Sequence, residues 1–274
     1  MGDAEPQAPT HGFAFELPAS TRDVSARESN PTFSIVVAAY QAAETIAEAL
    51  DSAFAQTYPP LEVIVCDDGS TDATLRELRP FEGRIVLLRQ PNRGEGAAKN
   101  AAVRAAQGEY VAILDADDGY SPRRLEALAA LARVRPDLDL LTTDAVLEVG
   151  GEAVRRCYTE TWPFEVDDQR RAILERNFVF GLAAVRRSRL LEIGGFEESL
   201  RYATDWDCWI RLILSGSRVG LVAEPLAHYR LRSTSLSADR GALLEGRAAV
   251  LERAAADPAL THEERSAVAA RSST

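Results

Sequence analysis

Tyr110-Val111-Ala112-Ile113-Leu114 is an unbroken apolar run that ends in three carboxylates, Asp115, Asp117 and Asp118. A run this short, rich in apolar and β-branched residues, reads as a buried strand. Open α/β sheets bind their ligands at the carboxyl ends of such strands. In extended backbone, residues two apart point the same way, so Asp115 and Asp117 can face one ligand while Asp118 turns aside. Like charges gathered at a dry strand end are unfavourable without a compensating cation. A hard divalent ion, held by one or two carboxylates with phosphate oxygens completing its shell, meets that need. The alternative is an acidic turn leading into a helix that Ser121 caps and Pro122 opens.

The rest of the chain supplies a frame for that strand. Ser34–Ala39, Leu61–Cys66 and Arg84–Arg89 read as further strands, with helices expected over Glu44–Phe54, Asp72–Phe81 and Ala97–Ala106. Repeated βα units imply a mostly parallel sheet with helices on both faces. Beyond Asp118 the pattern changes. A helix to Arg135, a strand over Leu138–Thr143 and a hairpin of Val146–Val149 with Ala153–Thr159 across Gly150-Gly151 are expected. A helix over Asp168–Arg176, a strand over Val179–Val185, a helix over Asp205–Leu214 and strands over Val219–Val222 and Leu226–Leu231 follow, and the chain from Ala238 reads as helical. Residues 1–32, rich in Pro, Ser, Thr and charge, read as a mobile arm.

Totals narrow the function. With 274 residues the chain can bury one large domain or two small ones. Its 31 basic against 42 acidic residues give −11, which argues against a nucleic-acid binder and leaves no polybasic patch for anionic lipid. Three scattered cysteines without a Cys-x-x-Cys pair suggest structural thiols in a reducing compartment. No stretch approaches the roughly 18 apolar residues of a membrane span, and Asp3 and Glu5 stand where a secretory signal would be apolar. A cytoplasmic protein without an integral membrane span is expected.

Three further constellations carry chemistry. Asp67 and Asp68 end the second strand, where carboxylates can accept from a base imide or a ribose hydroxyl; equally, they begin a turn in which Ser70 or Thr71 caps a helix. Asn92 to Asn100 opens a helix whose glycines, Gly94 among them, let backbone approach a phosphate, with Lys99 adding positive potential. It is not a dinucleotide fingerprint, because Lys99 stands where the third glycine belongs, and no P-loop is present. Trp206, Trp209, Ile210 and Ile213 form an apolar helix face suited to the core. Asp205 at the start of that helix is a first-turn acid or a carboxylate offered to a cleft as general base, and spacing does not separate these.

Together the motifs resemble glycosyltransferase family 2. The matches, in order, are Ser34 to Tyr40, Val65 to Asp72, Asn92-x-Gly94 through Ala98-Lys99-Asn100, Leu114 to Asp118, and Gly194-Gly195-Phe196 followed by Thr204-Asp205-Trp206-Asp207, within Phe33 to Ser237. The resemblance implies an α/β fold of GT-A type over 33–237, with a nucleotide-binding half (33–118), an acceptor half (119–237) and a helical extension over 238–274. It implies an inverting hexosyltransferase that uses a nucleotide-sugar donor and Mn²⁺ or Mg²⁺, with a carbohydrate, lipid-linked or small-molecule acceptor. On it, Ala38, Ala39 and Tyr40 floor the nucleoside, Asp68 contacts the base, and Asp115 and Asp117 flank Ala116 as the Asp-x-Asp motif, Asp117 being the direct metal ligand. Asp205 is the catalytic base, and Arg230 and Arg232 join Lys99 near the diphosphate. Asp68 suits the imide of uracil or thymine, hence UDP or dTDP. Two departures stand out: Thr204 replaces the usual Glu before the base, and Arg232 replaces the usual His. His228 is expected to be solvated. A sugar-1-phosphate nucleotidyltransferase would want a Gly-rich basic loop after the first strand, where Ala38-Ala39-Tyr40-Gln41 stands; a lapsed nucleotide-sugar binding protein is the other alternative.

Overall fold

The computed structural model describes residues 30–232 and 240–272. Most of the arm expected over 1–32, and the expected boundary at 237/238, lie outside the described residues. Asn30 to Thr32 are tied to the domain: Tyr58 donates to the Pro31 carbonyl, Arg133 to Asn30, and the Tyr110 N–H to the Thr32 carbonyl.

Strand β1 (Phe33–Ala39) is the axis of the parallel part of the sheet. It is apolar almost throughout because both its faces are covered, as parallel strands require. β2 (Glu62–Asp67) pairs parallel on one side, with Val36 opposite Ile64, and β4 (Tyr110–Ile113) on the other, with Val36 opposite Ile113. β3 (Val86–Arg89) adds outside β2. The period of two divides the core: Ile35 and Val37 pack with Ile46, Leu50 and Ala53 of α1 (Ile46–Phe54) on one face. Val36 packs on the other with Ala98 and Ala102 of α3 (Glu95–Ala105), whose small side chains let the helix lie close to the sheet.

Parallel pairing gives way beyond β4. β8 (Ala184–Arg186) runs antiparallel to it, followed by β6 (Leu140–Val149), β9 (Val219–Leu231) parallel to β6, and finally β5 (Gly119–Tyr120) antiparallel to β9. The sheet is therefore mixed, in the order β3-β2-β1-β4-β8-β6-β9-β5, with β7 (Glu152–Arg156) forming the expected hairpin with β6. β5 follows β4 by a few residues yet pairs at the far end of that order. The sheet has to curl, and the segment 115–118 bridges its middle to its last strand.

Several local expectations change for identifiable reasons. The expected helix over Asp72–Phe81 shortens to α2 (Thr74–Leu78) and a 3₁₀ turn, because Pro80 interrupts it. Neither Ser70 nor Thr71 caps α2; Asp72 accepts from Thr74 N–H, while Ser70 Oγ and the Thr71 N–H bond Gln41 instead. Ser121 does not cap α4 (Arg124–Val134) either: its hydroxyl meets His228 Nε2 at 3.0 Å, and Gln56 Oε1 takes the Leu125 N–H. β9 is one strand where two were expected, since register shifts flanking Asp144 absorb Pro225 opposite it. The expected strand over 179–185 is strand only from Ala184; upstream, the Leu182 carbonyl accepts from the fully buried Arg124.

α5 (Gln169–Glu175) is capped by Asp168, α6 (Arg187–Glu192) follows β8, and α7 (Thr204–Leu214) buries Trp206 and Trp209 as expected. Two more helices come after β9, α8 (Arg240–Ala255) and α9 (His262–Ser272). Val250, Leu251, Ala254 and Val268 enter the same core as α7, and Arg253 pairs with Asp207 and Glu197. Among the described residues, no helix is long and apolar enough to cross a membrane.

Candidate active site

The carboxyl ends of β1, β2 and β4 meet the N-termini of α3 and α7, and this edge gathers the residues singled out from the sequence. At the end of β1, Ala38 is half-buried, Ala39 is buried with its carbonyl accepting from the Asp68 N–H, and Tyr40 is exposed. Gln41 follows with φ 50°, a left-handed conformation that aims its side-chain oxygen at the Thr71 and Asp72 N–H groups. The β1 and β2 ends are thereby locked together.

Asp68 is 2% exposed. Its Oδ1 accepts from Gln90 Nε2 (2.7 Å) and the Arg93 N–H (2.9 Å), and its Oδ2 from the Gly94 N–H (2.8 Å). The carboxylate thus anchors the loop before α3, a task its sequence position did not announce. It retains lone-pair capacity, because a carboxylate offers about four acceptor positions. Gly94 has φ 93°, a conformation closed to side chains with a Cβ, and it delivers the chain into α3.

Asp115 to Asp118 form a turn rather than continuing the strand, with the Asp118 N–H on the Asp115 carbonyl. The expected division survives: Asp115 and Asp117 are half-exposed, whereas Ala116 and Asp118 are buried. Asp118 Oδ1 accepts from the Arg230 backbone N–H at 2.9 Å, and its Oδ2 is buried without a hydrogen-bond partner among the described residues. Burial, then the charges of Asp115 and Asp117, push the Asp118 carboxyl well above the ordinary carboxylate range.

Lys99 is 3% exposed, and its ammonium lies 2.9 Å from Asp115 Oδ1 and 2.5 Å from Glu95 Oε1. Burial disfavours its charge, but Asp115 and Glu95 outweigh burial and hold its pKa above the usual lysine value. Asp205 stands in the first turn of α7, just after Ala203, whose φ is 54°. Its Oδ2 accepts from Asn177 Nδ2 at 3.0 Å. Burial pushes the Asp205 carboxyl up; Lys99 and the Trp206 N–H pull it down.

Asn100, one residue beyond Lys99, is a buried clamp. It donates to the Phe196 carbonyl and accepts from the Phe196 N–H, both at 2.8 Å. A Cβ on Gly195 would collide with its carboxamide, so the Asn100 and Gly194-Gly195-Phe196 motifs are two halves of one contact.

The arginines behave differently. Arg230 sends its guanidinium to Glu48 (2.8 Å) and Glu148 (3.5 Å), and Arg232 lies 3.3 Å from Glu44. Both therefore face carboxylates, those of α1 and β6 for Arg230 and that of the segment leading into α1 for Arg232. His228 keeps the partial exposure expected of it, 36% of its side chain, yet it also bridges Glu148 Oε1 (2.7 Å) and Ser121. The sequence reading gave no role of their own to Glu95, Asn100, Asn177 or Gln41. Glu95 and Lys99 carried one available signal, an acid four residues before a base, but the helix was expected to begin only at Ala97.

The carboxylate turn fits a divalent cation. Its donors are hard oxygens, mutually repelled and partly buried, and a magnesium-type ion needs only one or two protein carboxylates beside phosphate oxygens. Among the described residues, no three His, Cys, Asp or Glu side chains form a self-sufficient cage.

Comparison with known proteins matches this arrangement to one family. The model of glycosyl transferase family 2 covers residues 34–194. The chain belongs to glycosyl transferase family 2. It is 35% identical over 188 residues to a chondroitin synthase of Escherichia coli, covering 66% of this chain and 26% of that protein. It is 33% identical over 220 residues to the succinoglycan biosynthesis protein ExoO of Rhizobium meliloti, covering 76% and 63%. The chain thus spans less than two thirds of the length of either relative. Its fold matches S. aureus TarS 1–349 in complex with UDP-GlcNAc, with TM-score 0.70 and 22% identity over 88% of this chain and 71% of that one. It also matches the mannosyltransferase PcManGT from Pyrobaculum calidifontis in complex with GDP-Man and Mn²⁺, with TM-score 0.67 and 23% identity over 89% and 70%. The fold is of GT-A type.

Proposed function

We propose that this chain is an inverting, metal-dependent glycosyltransferase that moves a hexosyl group from UDP- or dTDP-sugar to an acceptor hydroxyl. The observation that carries the reading is the convergence at one sheet edge of the Asp115–Asp117 turn and Asp205, with Lys99 between them. Gly94, anchored by Asp68, and the β1 end through Tyr40 frame the nucleoside. Asp115 and Asp117 would hold the divalent ion, Mn²⁺ or Mg²⁺, and Ala116 would meet the donor. When bound, the ion supplies charge neutralisation for the departing nucleoside diphosphate.

Asp205 accepts the proton of the acceptor hydroxyl. The acceptor oxygen bonds the anomeric carbon from the face opposite the phosphate, and the carbon–oxygen bond to the diphosphate breaks with its electron pair leaving on phosphate. A carboxyl raised by burial suits this step, because it is a stronger proton acceptor than a solvated aspartate. Lys99 fixes Asp115, and Arg230 and Arg232 reach the diphosphate by exchanging their glutamate partners for it. The acceptor is a carbohydrate, a lipid-linked sugar or a small molecule met in the cytoplasm.

A thermal-shift screen of UDP, dTDP, GDP and ADP, each with and without Mn²⁺, tests the reading. A nucleotide at 100 times its dissociation constant stabilises by about 2.7 kcal/mol. UDP or dTDP is expected to give the largest shift, and only with the metal. GDP binding tightest, or shifts indifferent to EDTA, would overturn the donor and metal assignments respectively.

A further inference from the structure

Glu95 opens α3 and touches both sides of the site. Its Oε1 accepts from Lys99 one turn on, at 2.5 Å, and its Oε2 accepts from Thr204 Oγ1 at 3.5 Å, in the residue directly before Asp205. The second contact is long for a hydrogen bond, so the ion pair with buried Lys99 is the stronger tie. That same ammonium holds Asp115.

We infer that Glu95 is a positioning residue for Asp205: it engages the Lys99 ammonium and the first turn of α7, holding the lysine's charge away from the Asp205 carboxylate. The inference rests on the reading of Asp205 as the base.

The charges around Asp205 give the reason. From α3 it faces Lys99 and Glu95; from the segment after α5, the neutral amide of Asn177; from its own helix, the Trp206 N–H, with Asp207 and the Cys208 thiol nearby. Lys99 is the cation among these and favours the ionised form of Asp205, whereas Glu95 opposes it. Without the Glu95 charge, the ammonium would keep Asp115 as its ion-pair partner and act on Asp205 unopposed. An aspartate held so firmly in its ionised form is a poor proton acceptor. Asp207 does not replace Glu95, because its carboxylate is already paired with Arg211 and Arg253.

The experiment reads the Asp205 carboxyl directly by ¹³C NMR titration, its resonance assigned by its loss in Asp205→Asn. Glu95→Gln keeps shape and hydrogen bonding but removes the charge. The Asp205 midpoint is expected to fall by about one unit, the usual effect of a neighbouring charge. The acid limb of UDP release from UDP-N-acetylglucosamine, with water as acceptor, should move down with it, while UDP affinity holds. Thr204→Val, which keeps both charges, should leave the midpoint in place. If Glu95→Gln does not fold, Glu95→Asp, which draws the charge back by one methylene, should lower the midpoint by a smaller step. A midpoint unmoved by any change at Glu95 overturns the inference. A midpoint that moves while Asp205→Asn turns over normally would leave the positioning intact and remove the base assignment instead.

Discussion

Replacing Asp205 by Asn changes one oxygen to an amide nitrogen, and the surroundings set the consequences. The retained carboxamide oxygen still accepts from Asn177 Nδ2, and Lys99 keeps its two contacting carboxylates, Asp115 and Glu95. The Trp206 N–H, which also bonds the carboxylate, must share that single remaining oxygen, so the cost is at most about one hydrogen bond, roughly 0.5–1.5 kcal/mol. Two electrostatic effects compete. A first-turn acid gains about 0.3–1 kcal/mol from the helix dipole, which Asn forgoes. Against that, burial raises the Asp205 carboxyl above its unfolded value. A group raised on folding lends stability below its unfolded pKa and loses it as pH rises through the folded one. Wild type and variant should therefore melt together near pH 4, and the variant should gain on wild type as the pH rises toward 7. Turnover should behave oppositely. Without a proton acceptor the rate falls by about 10²-fold or more, on the order of 2.7 kcal/mol in activation free energy. Wild-type activity should also fade on acidification at a pH above the ordinary aspartate range, because Asp205 must be ionised to act. UDP release, UDP calorimetry with Mn²⁺ and melting curves across pH give the three readouts. Normal kinetics in the variant would remove Asp205 from the mechanism; a joint loss of activity and several degrees of melting temperature would make it a structural residue.

Two more outcomes are expected from the geometry. Asp117→Asn should abolish turnover and weaken UDP binding only when Mn²⁺ is present; equal affinity for variant and wild type with the metal would refute its role as ligand. Asn100→Ala leaves the Phe196 N–H and carbonyl unpaired in a buried site, at about 1–3 kcal/mol each, so its melting temperature should drop by roughly 5 °C or more, and a drop under about 2 °C by scanning calorimetry would contradict the clamp.

The first half of the domain, residues 33–118, was legible because its signals are local. Buried parallel strands read as continuous apolar runs, and β1, β2 and β4 stand where those runs are. The carboxylates that end them could be named from the sequence for the same reason. What escaped depends on distant partners. β5 is two residues long and exists only because β9 arrives beside it. Ser121 and Pro122 form a sound helix opening in isolation, yet His228, more than a hundred residues away, claims the hydroxyl. Asp68 looked like a carboxylate turned to a ligand, and its hydrogen bonds to Arg93 and Gly94 become visible only once the loop is folded over it. Arg230 and Arg232 could be assigned to phosphate by position, but the competing glutamates Glu48 and Glu44 belong to α1 and its approach, far back along the chain.

A further set of long-range ties converges on α3. Gly94, at the helix entrance, is held by Asp68 from the end of β2. Glu95 meets Thr204 at the start of α7, Lys99 meets Asp115 in the turn after β4, and Asn100 grips Phe196 behind them. Gly94, Glu95 and Lys99 all lie in the cap and first turns, where the unsatisfied N–H groups and the positive end of the dipole also lie. A rotation or slide of α3 would disturb the loop before it, the Asp115 turn and the start of α7 together. The alanines that let the helix press against β1 and β2, Ala98 and Ala102, thus set the position of all three. Enlarging either would shift these contacts at once, whereas Arg232 pairs with Glu44 at the approach to α1.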